Sequence, residues 1–270
     1  MTEPTTVTDT SRPEPTRLGS PGAVRVSHWT GYATLLRWTL SQIGSLLPLL
    51  IIIQALLAAG IIIGFGFLIP DMNATTAMYL STGAPTVLLL TIGLVIVPQG
   101  VSRARTDGTF DYMRALPIAR PLLFAADLTV WLIIALPSVA VAVFVGWLRY
   151  DLEYSFDWPL LIVATLLITV MATAVGYAIA VTLRPMLAQL VTQVLMFFVL
   201  LFSPITFGAS QLPDWFRTAH DFLPLRPGAD LLRAGLASDT FEASCQDLVV
   251  LIVWCLAGIA ITIRALVRRQ

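Results

Sequence analysis

Six apolar stretches, none interrupted by a charge, recur along the chain once its first few dozen residues are past. They run at about 46–69, 77–97, 128–147, 159–183, 186–207 and 248–263. A helix rising about 1.5 Å per residue needs about 20 such residues to cross a hydrocarbon layer about 30 Å thick, so each stretch reads as a transmembrane helix. The sixth, at about 16 residues, reaches full length if Arg264 extends its stem toward the headgroups. Pro185, beside Arg184, divides one long run into the fourth and fifth spans joined by a tight turn. The pattern predicts an all-α membrane protein with six transmembrane helices.

Ahead of the spans, residues 1–22 are rich in Thr, Pro, Ser and Arg without apolar periodicity, which predicts a disordered tail. The first long apolar run starts too far into the chain for a secretory signal, so the N-terminus is expected to be retained. From Ser27 to Ser45, Trp29, Tyr32, Leu35, Leu36 and Leu40 gather on one side of a helix, with Arg37, Ser41 and Gln42 nearby. That spacing suits a helix lying in the headgroup region or, alternatively, an N-terminal extension of the first span. The main domain is therefore expected at 23–270.

Composition narrows the chemistry. The chain is 57% hydrophobic and 12% charged, against roughly a quarter charged in soluble domains. All 16 basic residues are arginine. Without lysine there is no P-loop and no Schiff-base enzyme, so if ATP drives this protein another chain hydrolyses it. Cys245 and Cys255 stand about 15 Å apart on a helix and cannot pair. His28 and His220 have no ligand cluster around them in the sequence, so no metal site is expected.

The net charge of zero conceals an asymmetry. With the N-terminus inside, only Arg149, Arg217, Arg226 and Arg233 fall outside, leaving 12 of the 16 arginines in the cytoplasm. Of the 16 acids, Glu3, Asp9, Glu14, Asp107, Asp111 and Asp127 fall inside and 10 outside. Both termini are expected to be cytoplasmic, in a multi-pass protein of the cytoplasmic (inner or plasma) membrane.

The segment 99–121, between the second and third spans, reads Arg103, Arg105, Asp107-Gly108-Thr109, Asp111, Arg114, Pro117 and Arg120 at its distinctive positions. A short amphipathic helix is expected, loosened at Gly108, with Phe110, Met113 and Leu116 on its apolar face and Pro117 ending it. By charge alone, its arginines would suit anionic headgroups. The sequence also resembles the coupling segment of ABC-2 type transporter permeases, which commonly reads Glu-Arg-Glu-x-Gly-Thr-Leu-Glu and then a Thr-Pro-Val-Ser-Arg-like stretch. Arg105, Gly108, Thr109, Asp111, Pro117 and Arg120 match, while Ala104 and Thr106 stand where the family has glutamates. A second match lies from Ser203 to Leu236, with Leu212-Pro213, Trp215, Pro224 and Arg233, similar to the region before the family's last span. The resemblance implies short reentrant helices in the outer leaflet there; from the residues alone, an outer-surface hairpin bounded by prolines is expected.

The spans read as free of ionisable groups at depth, with Asp127 at the edge of the third, which argues against proton- or sodium-coupled transport and intramembrane proteolysis. Gln189, Thr192 and Gln193 are placed on one face of the fifth span, with Ser203 beyond and Gln54 in the first span. That face suits a translocation path or dimer interface, and equally helix packing. Thr165, Thr169 and Thr173 read as packing, and Gly60–Gly64 as a close helix contact within the subunit or with a second one. Pro85 and Pro137 are expected to kink the second and third spans.

The resemblance implies the membrane subunit of a bacterial ABC exporter of drugs, lipids or polysaccharides, working with an ABC ATPase subunit and a second permease subunit, identical or related. ATP and Mg would sit in the ATPase, with no cofactor in this chain and no nucleic-acid partner, and a hydrophobic or amphipathic cargo would move outward. The rival reading is a non-transporting structural or regulatory membrane protein. A membrane-embedded enzyme is third, disfavoured by the neutral spans.

Overall fold

The computed structural model describes residues 28–44, 46–69, 73–110, 120–208 and 212–268. The expected tail at 1–22 and Asp111, Met113, Arg114, Leu116 and Pro117 lie outside these residues.

The described residues form an all-α bundle. The helices are α1 (His28–Gly44), α2 (Leu47–Leu68), α3 (Ala74–Thr106), α4 (Arg120–Tyr150), α5 (Trp158–Thr182), α6 (Pro185–Phe202), α7 (Asp214–Phe222), α8 (Leu225–Leu236) and α9 (Cys245–Arg268). Six of them, α2 to α6 and α9, are long and apolar enough to cross a membrane. Their boundaries follow local chemistry. Asn73 accepts from the Thr76 N–H at 2.7 Å and starts α3, and Asp157 accepts from the Leu160 N–H at 3.2 Å to start α5. Pro159 and Pro185 sit in the first turns of α5 and α6, where a missing N–H removes no helix bond. Pro85 and Pro137 lie inside continuous helices.

α3 and α5 are the most enclosed spans and α6 the least. α5 is central, packing against α3, α4, α8 and α9. Small residues permit its approach to α3: a Cβ on Gly93 would strike Ala172, and one on Gly176 would strike the Gly93 carbonyl. Thr165, Thr169 and Thr173 are buried in α5, with the Thr169 hydroxyl donating to the Thr165 carbonyl at 2.7 Å, consistent with their packing reading.

Several boundaries correct the sequence expectations. The fifth span ends at Phe202 rather than near 207, because Ser203 turns extended and leads into a buried, non-helical segment containing Ile205 and Thr206. The helix of the third span begins at Arg120, so Asp127 lies two turns inside α4 rather than at its start, on helix that precedes the apolar stretch. The second span does not stop near 97. It continues through a π-helical turn at Ile92–Ile96 to Thr106, carrying Arg103 and Arg105 on the span's own helix. The Gly60–Gly64 pair makes no close contact among the described residues, since a Cβ at either glycine would meet nothing within 4 Å. These residues form a second π-helical turn, and the Ile62 carbonyl accepts from the Tyr150 hydroxyl at 2.9 Å.

Candidate functional site

Three helix ends converge where α3 finishes, α4 starts and α5 finishes, with α1 laid alongside α4. The Tyr32 hydroxyl of α1 meets the Thr129 hydroxyl of α4 at 2.8 Å, and Leu35 is buried. Deeper, Asp127 accepts from the Tyr177 hydroxyl of α5 at 3.4 Å and faces Thr39 of α1. Phe124 packs edge-on against the Tyr177 ring, 5.2 Å between centroids. Asp127 thus joins α1, α4 and α5. Its sequence signal was a lone carboxylate before a long apolar run, which reads as an interfacial charge until the start of the helix is known.

Arg105 performs the corresponding task for α3. Its guanidinium donates to the carbonyls of Ala180 and, at 2.6 Å, Leu183. Those carbonyls belong to the end of α5, where the helix leaves its last acceptors unpaired and carries partial negative charge. The end of α3 is therefore fastened to the end of α5 and the turn into α6. Arg103, Asp107 and Gly108 remain exposed beside this junction. Asp107 ends the helix with its N–H donating to the Arg103 carbonyl at 2.9 Å, and Gly108 follows at φ +76°, a left-handed conformation suited to glycine. Thr109 is half-buried and Phe110 buried. Arg120 is the first residue of α4.

At the opposite end, α7 and α8 form a helical hairpin whose second arm is buried against α5, α3 and α9. Leu212 and Pro213 precede α7, and Trp215 is exposed on it. Pro224 is buried at the start of α8. Arg233 is 2% exposed. Its guanidinium donates to Asp230 at 2.5 Å, to the Ile205 carbonyl at 2.7 Å and to the Thr82 hydroxyl at 3.3 Å. It also lies over the Tyr79 ring at 4.5 Å and the Phe241 ring at 5.5 Å. Burial lowers its pKa and the Asp230 charge opposes that shift. Asp230 also pairs with Arg226, which bonds Asp221. Sequence placed Arg233 at an outer helix end; its role as a buried junction of three segments emerges only in the fold.

The polar set assigned to a path or interface separates. Gln193 is exposed and Gln189 half-exposed on the outward side of α6, whereas Thr192 and Ser203 are buried inside the bundle. The Thr192 hydroxyl donates to the Ala188 carbonyl at 2.9 Å. Gln54 is buried in α2, and neither atom of its amide has a hydrogen-bond partner among the described residues. No group of three or more His, Cys, Asp or Glu among the described residues is placed to hold a metal.

The model of one protein family, ABC-2 type transporter, matches residues 32–237, from α1 to the end of α8. No curated protein matches the sequence.

Proposed function

The chain belongs to the ABC-2 type transporter family, and from that premise we propose that it is the permease subunit of an ATP-driven exporter moving a drug, lipid or glycolipid outward across the cytoplasmic membrane. The family is a membrane transport component, not itself catalytic, and normally works with an ABC ATPase. Hydrolysis, with its ATP and magnesium, is assigned to a separate subunit, which suits a sequence that holds no lysine for a P-loop.

The observation that carries the reading is the Arg105 fastening. The exposed Arg103, Asp107 and Gly108 offer a contact surface to the ATPase, and Arg105 ties the same helix end to α5. A push on the surface moves α3 and α5 together, and these are the two central spans. At the far end, Arg233 joins α3 to α8, so the displacement reaches the α7–α8 hairpin, read as reentrant in the outer leaflet. The arginine asymmetry orients the Arg105 end to the cytoplasm. A second permease subunit is expected against the outward side of α6, which carries Gln189 and Gln193, and the open Gly60–Gly64 face of α2.

Co-expression with a separately encoded ABC ATPase tests the reading. The two proteins should copurify, and ATPase activity in reconstituted vesicles should rise with the permease present. No copurification and no change in hydrolysis would favour a non-transporting membrane protein.

A further inference from the structure

A cavity of about 820 Å³ opens at the far end of the bundle, where α4 finishes and α5 begins. Its inner wall is apolar and closed by Leu161, Thr165 and Leu236, all buried. Around the mouth stand Phe144, Trp147, Phe156 and Trp158, each with much of its ring uncovered. Phe156 stacks on Trp158 at 5.2 Å, and Phe144 lies 6.1 Å from Trp147. Among the described residues, Asp151 and Glu153 are the only charged ones in the lining, and both are exposed. Tyr154 stays neutral, because burial pushes its hydroxyl up to about 12.

Asp151 is placed at a backbone cost. It sits at φ 51°, the only non-glycine among the described residues in the left-handed region. Its N–H donates to the Trp147 carbonyl at 2.9 Å, ending α4 in a cap that glycine usually occupies. Glycine would relieve the strain but remove the carboxylate from the mouth. The loop carrying both acids is fixed from behind. Asp157 N–H donates to the Gly235 carbonyl and Ser238 N–H to the Ser155 carbonyl, each at 3.0 Å, and Asp239 N–H reaches the Ser155 hydroxyl at 2.9 Å. The mouth is thus preformed.

We propose that this cavity is a binding site for a lipophilic cation, a molecule with a bulky apolar body and one positive charge. The apolar wall takes the body, the ring faces attract the cation through their quadrupoles, and the two carboxylates supply opposite charge at the edge of a low-dielectric region. An anion of equal size loses both electrostatic attractions. A neutral acyl chain fills the wall and leaves the carboxylates unused. No residue of α6 lines the cavity, and occupancy needs neither ATP nor a partner, so the inference stands or falls independently of the export reading.

Equilibrium dialysis of the full chain in phosphatidylcholine nanodiscs tests it, with tetraphenylphosphonium and the near-isosteric anion tetraphenylborate measured separately against empty nanodiscs. The cation should show saturable binding above partition, and the anion only partition. The double variant Asp151→Asn, Glu153→Gln keeps side-chain shape, and asparagine tolerates the left-handed turn. It should weaken cation binding at least about tenfold. Asp151→Gly, which relaxes the cap, should weaken it as well. Non-saturable cation uptake, equal binding of the two ions, or unchanged affinity in the double variant would each overturn the proposal. The wild-type comparison of the two ions decides even if a variant fails to fold.

Discussion

Arg233 of α8 donates to the backbone carbonyl of Ile205 at 2.7 Å, holding the segment after α6 against the hairpin arm. The same carbonyl is the atom that a Cβ on Gly83 of α3 would strike. Three segments distant in sequence therefore meet at one point, and the geometry of a guanidinium is what satisfies it. A planar fork reaches Ile205, Thr82 and Asp230 from three separate nitrogens, a spread that the single nitrogen of a lysine ammonium does not offer.

Replacing Arg233 should consequently be severe. Arg233→Met leaves the Ile205 carbonyl and one side of Asp230 without their donor inside the bundle, a loss of about 3 kcal/mol or more. Arg233→Lys should recover only part of it. Thermal unfolding of the detergent-solubilised protein measures both; a melting temperature unchanged in Arg233→Met would remove the junction's structural importance.

The glycines divide into two classes by what surrounds them. Gly83→Ala, Gly93→Ala and Gly176→Ala each force a methyl into neighbouring backbone, and each should destabilise the chain by roughly 1–3 kcal/mol. Gly60→Ala and Gly64→Ala meet nothing within 4 Å. In the isolated chain they should be neutral or slightly stabilising, by up to about 1 kcal/mol. If a second subunit seats on that face, they should instead weaken self-association, which analytical ultracentrifugation reads directly.

Arg105→Gln should uncouple without unfolding. Its removal frees the end of α3 from the Leu183 and Ala180 carbonyls while leaving the α3–α5 crossing at Gly93 intact. Stimulation of the partner ATPase should fall about fivefold or more, with membrane insertion and melting temperature little changed. Gly108→Ala, which forces a side chain into the left-handed region at φ +76°, should act in the same direction. Full stimulation in both variants would move the coupling contact elsewhere.

Sidedness has a direct measurement. Cys245 is exposed and Cys255 buried, so an impermeant thiol reagent added to intact cells should label the wild-type protein at Cys245 alone. With both natural cysteines replaced by serine, a cysteine at Asp239 should label and one at Asp107 should not until the membrane is opened. Labelling at 107 alone would invert the topology.

Much of this molecule is written in its sequence because the membrane imposes a one-dimensional code. A span has to be apolar over its whole length and has to satisfy its backbone internally, so the number of spans, the Pro185 break and the α7–α8 pair between prolines are legible in the residue pattern alone. Helix ends are less so. Asp127, Arg103 and Arg105 sit on span helices that run past their apolar stretches, because a helix continues as long as its backbone is bonded, whatever its side chains prefer.

What tertiary structure alone decided is which polar groups face one another. A periodic pattern puts Gln189, Thr192 and Gln193 near one another on a helix, but only packing turns Thr192 inward and Gln193 outward. The Gly60–Gly64 motif permits close approach, yet among the described residues nothing lies within 4 Å of a Cβ at either glycine. Arg233 reads as the end of a short outer helix in the sequence and is a buried junction in the fold. Hydropathy is a property of single residues summed along the chain, whereas a hydrogen bond spanning 151 positions, such as Arg233 to Thr82, exists only once the chain has closed on itself.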